Sequence, residues 1–252
     1  MYEDYIHKSG MLVYLACPRR YYYEFIEKRQ YERSISAQLG ARFHDFAEKF
    51  FDFVERSKLE RLVTFKETRE YFNSLVEEDK SISGMQYNFV SFEAKRWVQL
   101  RNWWLWFPVA RELRVINDEM KMIGKIDRID RTNDEMLVIV EYKTGKRRQL
   151  SKIRKELAFY WLLLQGARGL PPEINPKRVK YIAMYNPSLN SVWYEELKKR
   201  TVTALKKSIK KFREGLNRED FETNPGEQCM WCPFWELCEE EVRKSGVEVK
   251  KR

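Results

Sequence analysis

The sequence predicts a mixed α/β fold, a sheet wrapped by helices. Two observations carry this expectation. The hydrophobic period changes along the chain, from helical stripes before about residue 107 to alternating runs after it. Of the 252 residues, 43% are hydrophobic and 15% aromatic, while only 10 are Gly and 8 Pro. That composition supplies a core and excludes disordered, collagen-like and low-complexity chains.

In chain order, residues 14–28 read as an aromatic-rich helix after Cys17-Pro18. Residues 39–57 read as a second helix, with Phe43, Phe46, Ala47, Phe50 and Val54 at helical spacing. Two further helices are expected within 66–79 and 87–106, the latter rich in Trp and closed by Pro108. The runs 109–116, 120–130 and 136–143 read as three strands, the last two joined by a turn over 131–135. A helix follows over 151–165, with Ile153, Leu157, Tyr160, Trp161 and Leu164 on one stripe. Two strands are expected at 178–185 and 191–194, then a long helix over 196–216. A tail with three cysteines ends the chain. The expected organisation is an N-terminal helical region over 1–107, a core over 108–216 and a C-terminal segment over 217–252, packed as one domain.

Lys and Arg number 48 against 38 Asp and Glu, a net charge of +10. An excess of positive charge points first to nucleic acid as a partner. The best candidate for a membrane span, 161–167, is far short of the ~20 residues a membrane helix needs. The N-terminal ten residues carry acids and lack a signal layout. The expectation is a soluble, cytoplasmic protein.

The most informative stretch is 124–145. Glu141 and Lys143 are two apart on a strand, so both face one side. A turn symmetric about Asn133 would pair residue 127 with 139 and place Asp127 diagonally across from Glu141, on the same face. Two carboxylates on neighbouring strands offer hard oxygen ligands to Mg²⁺ or Mn²⁺, whose bound water can become an attacking hydroxide. A nearby Lys offsets charge growing on a phosphate. A structural ion pair between Glu141 and Lys143 fits the same pattern. His44, one of two His in the chain, fits either a boundary histidine or a further metal ligand. Glu112, on the first strand, fits an exposed strand residue better than a further metal ligand. Glu156 and Tyr160 share a helix face, four residues apart.

Cys229, Cys232 and Cys238 have the spacing C-x2-C-x5-C, and Cys17 stands far upstream. Four thiolates can hold zinc or an iron–sulfur cluster, and spacing alone does not separate the two. Arg19 and Arg20 follow Cys17, and Lys146, Arg147 and Arg148 follow the acidic strand. Both clusters fit phosphate contacts, as does the basic face of the helix over 196–216, which fits a solvated face equally well.

The set Cys17-Pro-Arg-Arg-Tyr, Gly40…His44, Gly124-x-x-Asp127, Glu141-Tyr-Lys143-Thr-Gly and Cys229-x2-Cys232-Pro…Cys238 resembles the RecB-like branch of the PD-(D/E)XK nucleases, over about residues 12–240. It is most similar to the CRISPR-associated iron–sulfur exonucleases of that branch, the Cas-four family. The resemblance implies a restriction-endonuclease-like mixed sheet core and a 4Fe–4S cluster on Cys17, Cys229, Cys232 and Cys238 that joins the chain's two ends. It implies His44, Asp127, Glu141 and the carbonyl of Tyr142 as ligands of Mg²⁺ or Mn²⁺. Lys143 would position the hydrolytic water, and Tyr160 would match the tyrosine of a Gln-x3-Tyr helix motif. Here the Gln position holds Glu156. The implied activity is a metal-dependent DNase acting on single strands or free ends, with CRISPR adaptation proteins or a helicase as partners. The alternative is a non-catalytic iron–sulfur DNA-binding subunit.

Overall fold

A computed structural model of the chain describes residues 4–32, 34–145 and 149–244. In order, the elements are β1 (Ile6–His7), α1 (Lys8–Ala16), α2 (Pro18–Tyr21), α3 (Ile35–Phe50), α4 (Arg56–Leu59), α5 (Phe65–Ser74), α6 (Ser83–Leu100), α7 (Trp103–Trp106), β2 (Ala110–Asn117), β3 (Met122–Arg131), β4 (Leu137–Tyr142), α8 (Leu150–Leu164), β5 (Val179–Asn186), β6 (Ser191–Glu196), α9 (Lys199–Asn217) and α10 (Trp235–Lys244). Among the described residues no helix is long and apolar enough to cross a membrane.

Two compact units are present. One comprises residues 1–33 and 203–252, the other residues 34–202.

In the first unit, the single helix expected over 14–28 is broken at Cys17, whose backbone is extended (φ −160°, ψ 110°). Pro18 is the cause, because its ring disfavours a helical conformation in the residue before it. Pro18 then opens α2, where its missing N–H is no loss, and the chain runs on into a π-helical turn over Tyr22–Ile26. Tyr21 is enclosed by Tyr14, Phe25 and Phe212, with ring centroids 5.0–5.6 Å away. It is half-buried within this aromatic cluster.

In the second unit, β2 pairs antiparallel with β3, β3 antiparallel with β4, β4 parallel with β5, and β5 antiparallel with β6. The parallel step is made by α8, a crossover between β4 and β5. α8 lies against β2, β3, β4 and β5. A core built from α3, α5 and α6 includes Phe43, Phe50, Phe72, Phe89 and Trp97 and takes in Val138, Val140 and Tyr142 of β4. β4 is buried along its whole length, as expected for a central strand with both faces covered. The Trp-rich helix expected over 87–106 is two helices. α6 ends where Arg101 turns left-handed (φ 48°), and Asn102 starts α7 by accepting from the N–H of Trp104 at 2.9 Å.

The β3–β4 register differs from the expected one. Arg128 opposes Val140 and Ile129 opposes Ile139. The connection closes between Thr132 and Met136, where the Thr132 N–H donates to the Met136 carbonyl at 2.9 Å. Glu135 is left-handed (φ 59°), so the loop is three residues long and centred one residue later than Asn133. The pairing therefore slips by two positions. Two is the side-chain period of a strand, so every residue keeps its face.

Gly124 lets α8 approach β3. A Cβ there would stand 3.1 Å from Leu163 Cδ2 and 3.3 Å from Tyr160 Cε1. Gly124→Ala is expected to destabilise the unit by about 1–3 kcal/mol through overpacking, read as a lower urea midpoint with unchanged slope.

Candidate metal centre

β3 and β4 set the frame. Continuing the Arg128–Val140 pairing by one residue puts Asp127 opposite Glu141. The backbone N–H of Tyr142 donates to Asp127 Oδ2 at 2.8 Å, which fixes the carboxyl group against β4. Both acids are buried, Asp127 at 7% exposure and Glu141 at 3%. Two buried carboxylates on adjoining strands need cations or donors around them to remain charged.

α3 brings His44. Ser34 caps this helix by accepting from the N–H of Ala37 at 3.3 Å, and Phe43, Ala47 and Phe50 bury its inner stripe. His44 then lies with its Nδ1 3.2 Å from Glu112 Oε1 and 3.6 Å from Asp127 Oδ1. Burial lowers the His44 pKa, but the Glu112 bond and the charges of Asp127, Glu112 and Glu141 outweigh it, so the net shift is upward. Ligand atoms of His44, Glu112 and Asp127 all lie within 4.8 Å of one another, a group able to hold a metal ion.

Glu112 is not the exposed strand residue expected. Its side chain is 5% exposed and bonded to both His44 and Lys125. Its backbone is left-handed (φ 44°) in the middle of β2, a conformation that non-Gly residues rarely adopt and that clusters at functional sites. Burial would raise its pKa, yet the bonds to His44 and Lys125 prevail and hold it below the usual carboxylate range. No sequence signal announces this, since a left-handed residue inside a strand leaves the alternation of apolar residues intact.

α8 completes the surroundings. Lys143 Nζ donates to Glu141 Oε1 at 2.7 Å and to Glu156 Oε2 at 2.5 Å. Glu156 and Tyr160 are each 3% exposed. Burial first, then the charges of Glu141 and Asp127, drives the Tyr160 pKa far upward, so its hydroxyl stays protonated and can donate. Lys143 is tied to the neighbouring strand by its N–H, which donates to the Tyr185 carbonyl at 3.0 Å. The following loop is held by Asn186 Nδ2, which donates to the Gly145 carbonyl at 2.7 Å, and by Ser188 Oγ, which donates to the Thr144 carbonyl at 2.8 Å. The Tyr142 ring lies between Phe43 and His44, 5.6 Å from the His44 ring centroid, with its hydroxyl 3.3 Å from Arg128 Nη1. Lys146, Arg147 and Arg148 lie outside the described residues.

In the first unit, Cys17, Cys229, Cys232 and Cys238 line one small pocket with Arg20, Tyr23, Trp235 and Val242. Burial, together with the neighbouring Cys17 and Cys229, raises the Cys232 pKa. Among the described residues no three of the cysteine sulfurs lie within 4.8 Å of one another. Arg20 pairs with Glu24 at 3.2 Å, and the Arg19 N–H donates to the Glu222 carbonyl at 3.1 Å.

A family profile described as the PD-(D/E)XK nuclease superfamily matches residues 9–239. No curated protein matches the chain. Among solved structures, one described as "Crystal structure of SSO0001" is 14% identical, covers 81% of this chain and 95% of that one, and superposes with a TM-score of 0.35.

Proposed function

The chain belongs to the PD-(D/E)XK nuclease superfamily, and from that premise we propose that it is a Mg²⁺- or Mn²⁺-dependent DNase acting on single strands or free ends. The observation that carries the reading is the convergence of His44, Glu112 and Asp127 within 4.8 Å, with Glu141 opposite Asp127 and Lys143 bonded to Glu141 at 2.7 Å.

The donor set fits such a cation. Carboxylate oxygens suit Mg²⁺ and Mn²⁺, and an imidazole among them suits Mn²⁺. His44, Glu112 and Asp127 would hold the ion, with Glu141 and the Tyr142 carbonyl as further ligands. When bound, the ion supplies Lewis acidity and a water of lowered pKa. Lys143 presents its ammonium where negative charge grows on the phosphate, and Glu156 keeps that ammonium in place. Tyr160 holds a protonated hydroxyl beside Glu141 and Asp127, able to orient a water or a phosphate oxygen. In the reaction the water would give up a proton to solvent as its oxygen bonds to phosphorus, one phosphorus–ester oxygen bond would break, and the leaving oxygen would take a proton from solvent.

Cys17, Cys229, Cys232 and Cys238 are assigned to a 4Fe–4S cluster. The four line one small pocket, and the likeness of their spacing to the iron–sulfur members of the RecB-like branch favours iron over zinc. The cluster would bind the N- and C-terminal segments of the first unit to each other. Arg19, Arg20, Lys146, Arg147 and Arg148 are assigned to DNA phosphates. The pathway that best suits the resemblance is CRISPR adaptation or DNA repair, alongside adaptation proteins or a helicase.

The test is cleavage of end-labelled single-stranded DNA with Mg²⁺, Mn²⁺ or EDTA. Cleavage under either metal and none under EDTA is expected. Binding without cleavage under every divalent metal would identify a DNA-binding subunit instead. Anaerobically purified protein is expected to contain iron and no zinc. Cys229→Ser is expected to lose the iron and the ordered structure of the first unit, read by circular dichroism.

A further inference from the structure

We propose that Lys125 is a substrate-binding residue that takes a DNA phosphate at the metal centre, an inference that rests on the nuclease reading. Lys125 lies on β3, two residues before Asp127. Its Nζ is bonded to Glu112 Oε2, while Glu112 Oε1 is bonded to His44. Besides Glu112, the acids acting on its ammonium are Glu48 and Asp127. The centre thus has two bonded lysines. Lys143 reaches Glu141 and Glu156, and Lys125 reaches Glu112.

The two differ in exposure. The Lys125 side chain is 61% exposed and that of Lys143 is 32% exposed. An ion pair with one long, largely solvated partner contributes little net stability, because solvent screens it and the chain loses rotamer freedom. Lys125 can therefore exchange its partner at small cost. The Glu112 carboxylate cannot follow, since its side chain is 5% exposed and its backbone is held left-handed. A cation bound by His44, Glu112 and Asp127 would draw on the Glu112 charge and weaken its hold on Lys125. The ammonium would then stand at the solvent side of the centre without a full counter-charge. A phosphodiester oxygen is the anion that the nuclease reading brings to that place. Lys143 faces the developing charge from the α8 side. Lys125 would hold the backbone from the Glu112 side, fixing the register of the strand without reading its bases.

A purely structural role for Lys125, neutralising Glu112, makes a different prediction, and two measurements separate them. The first is binding of a fluorescein-labelled oligothymidine to the Lys143→Ala chain in Mg²⁺, followed by anisotropy over a range of KCl concentrations. Adding Lys125→Ala is expected to lower the slope of log K against log salt by roughly 0.7, the loss of one single-strand phosphate contact. Lys125→Arg is expected to keep the slope. The second is Mn²⁺ affinity by calorimetry without DNA. An unchanged salt slope in Lys125→Ala overturns the proposal, and tighter Mn²⁺ binding alongside it assigns Lys125 to charge neutralisation alone. A chain with Lys143 intact that shows the slope change but cleaves nothing overturns the nuclease reading and leaves the phosphate contact standing.

Discussion

Lys143→Ala is expected to lower kcat for DNA hydrolysis by 10²–10⁴-fold while leaving Mn²⁺ affinity near that of the wild-type chain. Asp127→Asn is expected to lose both. The contrast follows from what each side chain touches. Lys143 Nζ bonds Glu141 and Glu156 at 2.7 and 2.5 Å. Its removal takes away a positive charge where the phosphate charge grows, but leaves His44, Glu112 and Asp127 grouped. Asp127 is itself a member of that group. An amide oxygen could still accept from the Tyr142 N–H, so Asp127→Asn keeps the β3–β4 contact and deletes the charge alone. Single-turnover cleavage separates the chemical step from binding, and calorimetric Mn²⁺ titration reports the site. Equal losses of Mn²⁺ affinity in both variants would place Lys143 in a structural role.

The candidate centre was legible in the sequence to the extent that it obeys strand parity. Strand parity places Asp127, Glu141 and Lys143 on one face, and the two-position shift of the actual register keeps them there because it equals the side-chain period. The turn centre was not legible, because Thr132-Asn133-Asp134-Glu135 offers several polar residues that could occupy the left-handed position. Glu135 occupies it. α8 matches the stripe expected over 151–165 to within one residue, whereas the helix expected over 39–57 starts four residues earlier and ends at Phe50, where the chain passes into a 3-10 turn over Phe51–Phe53. The break at Cys17 could have been read from Pro18, whose effect on the preceding residue is local. Glu112 is legible as the lesser of two readings, a strand acid that helps bind metal, but its burial is not. Its inward carboxylate depends on a left-handed residue inside a strand, and that conformation is imposed by tertiary contacts rather than by neighbours in sequence. Glu156, where the resembling family has Gln, is explained by the structure as the second carboxylate on Lys143. The N- and C-terminal cysteines, far apart in sequence, line one pocket.

The largest loss of stability is expected from Glu93→Ala. Glu93 is fully buried and lies on α6. Its Oε1 is 2.6 Å from Arg128 Nη1, and its Oε2 is 2.7 Å from Arg96 Nη1. Asp130 pairs with both arginines, at 2.7 Å to Arg128 and 3.2 Å to Arg96. Arg128 is 1% exposed and sits over the Phe51 ring, 5.0 Å from its centroid. Burial would lower the Arg128 pKa, but Asp130 and Glu93 outweigh it and raise it well above the usual guanidinium value. The charge cannot be shed by deprotonation. Removing Glu93 leaves it with one of its two acidic partners, Asp130, in a place water does not reach. Breaking such a pair by deleting one member costs about 3–5 kcal/mol. Glu93→Gln, which can still accept hydrogen bonds, is expected to cost less. Arg128→Met added to Glu93→Ala is expected to recover part of the loss, since no fully buried charge is then stranded. Urea unfolding followed by tryptophan fluorescence reads all three. Arg128 is the residue after Asp127, so the same variants are expected to weaken Mn²⁺ binding in proportion to their disturbance of β3. A Glu93→Ala chain as stable as the wild type would mean that water reaches Arg128, and that the network holds β3 less tightly than its burial implies.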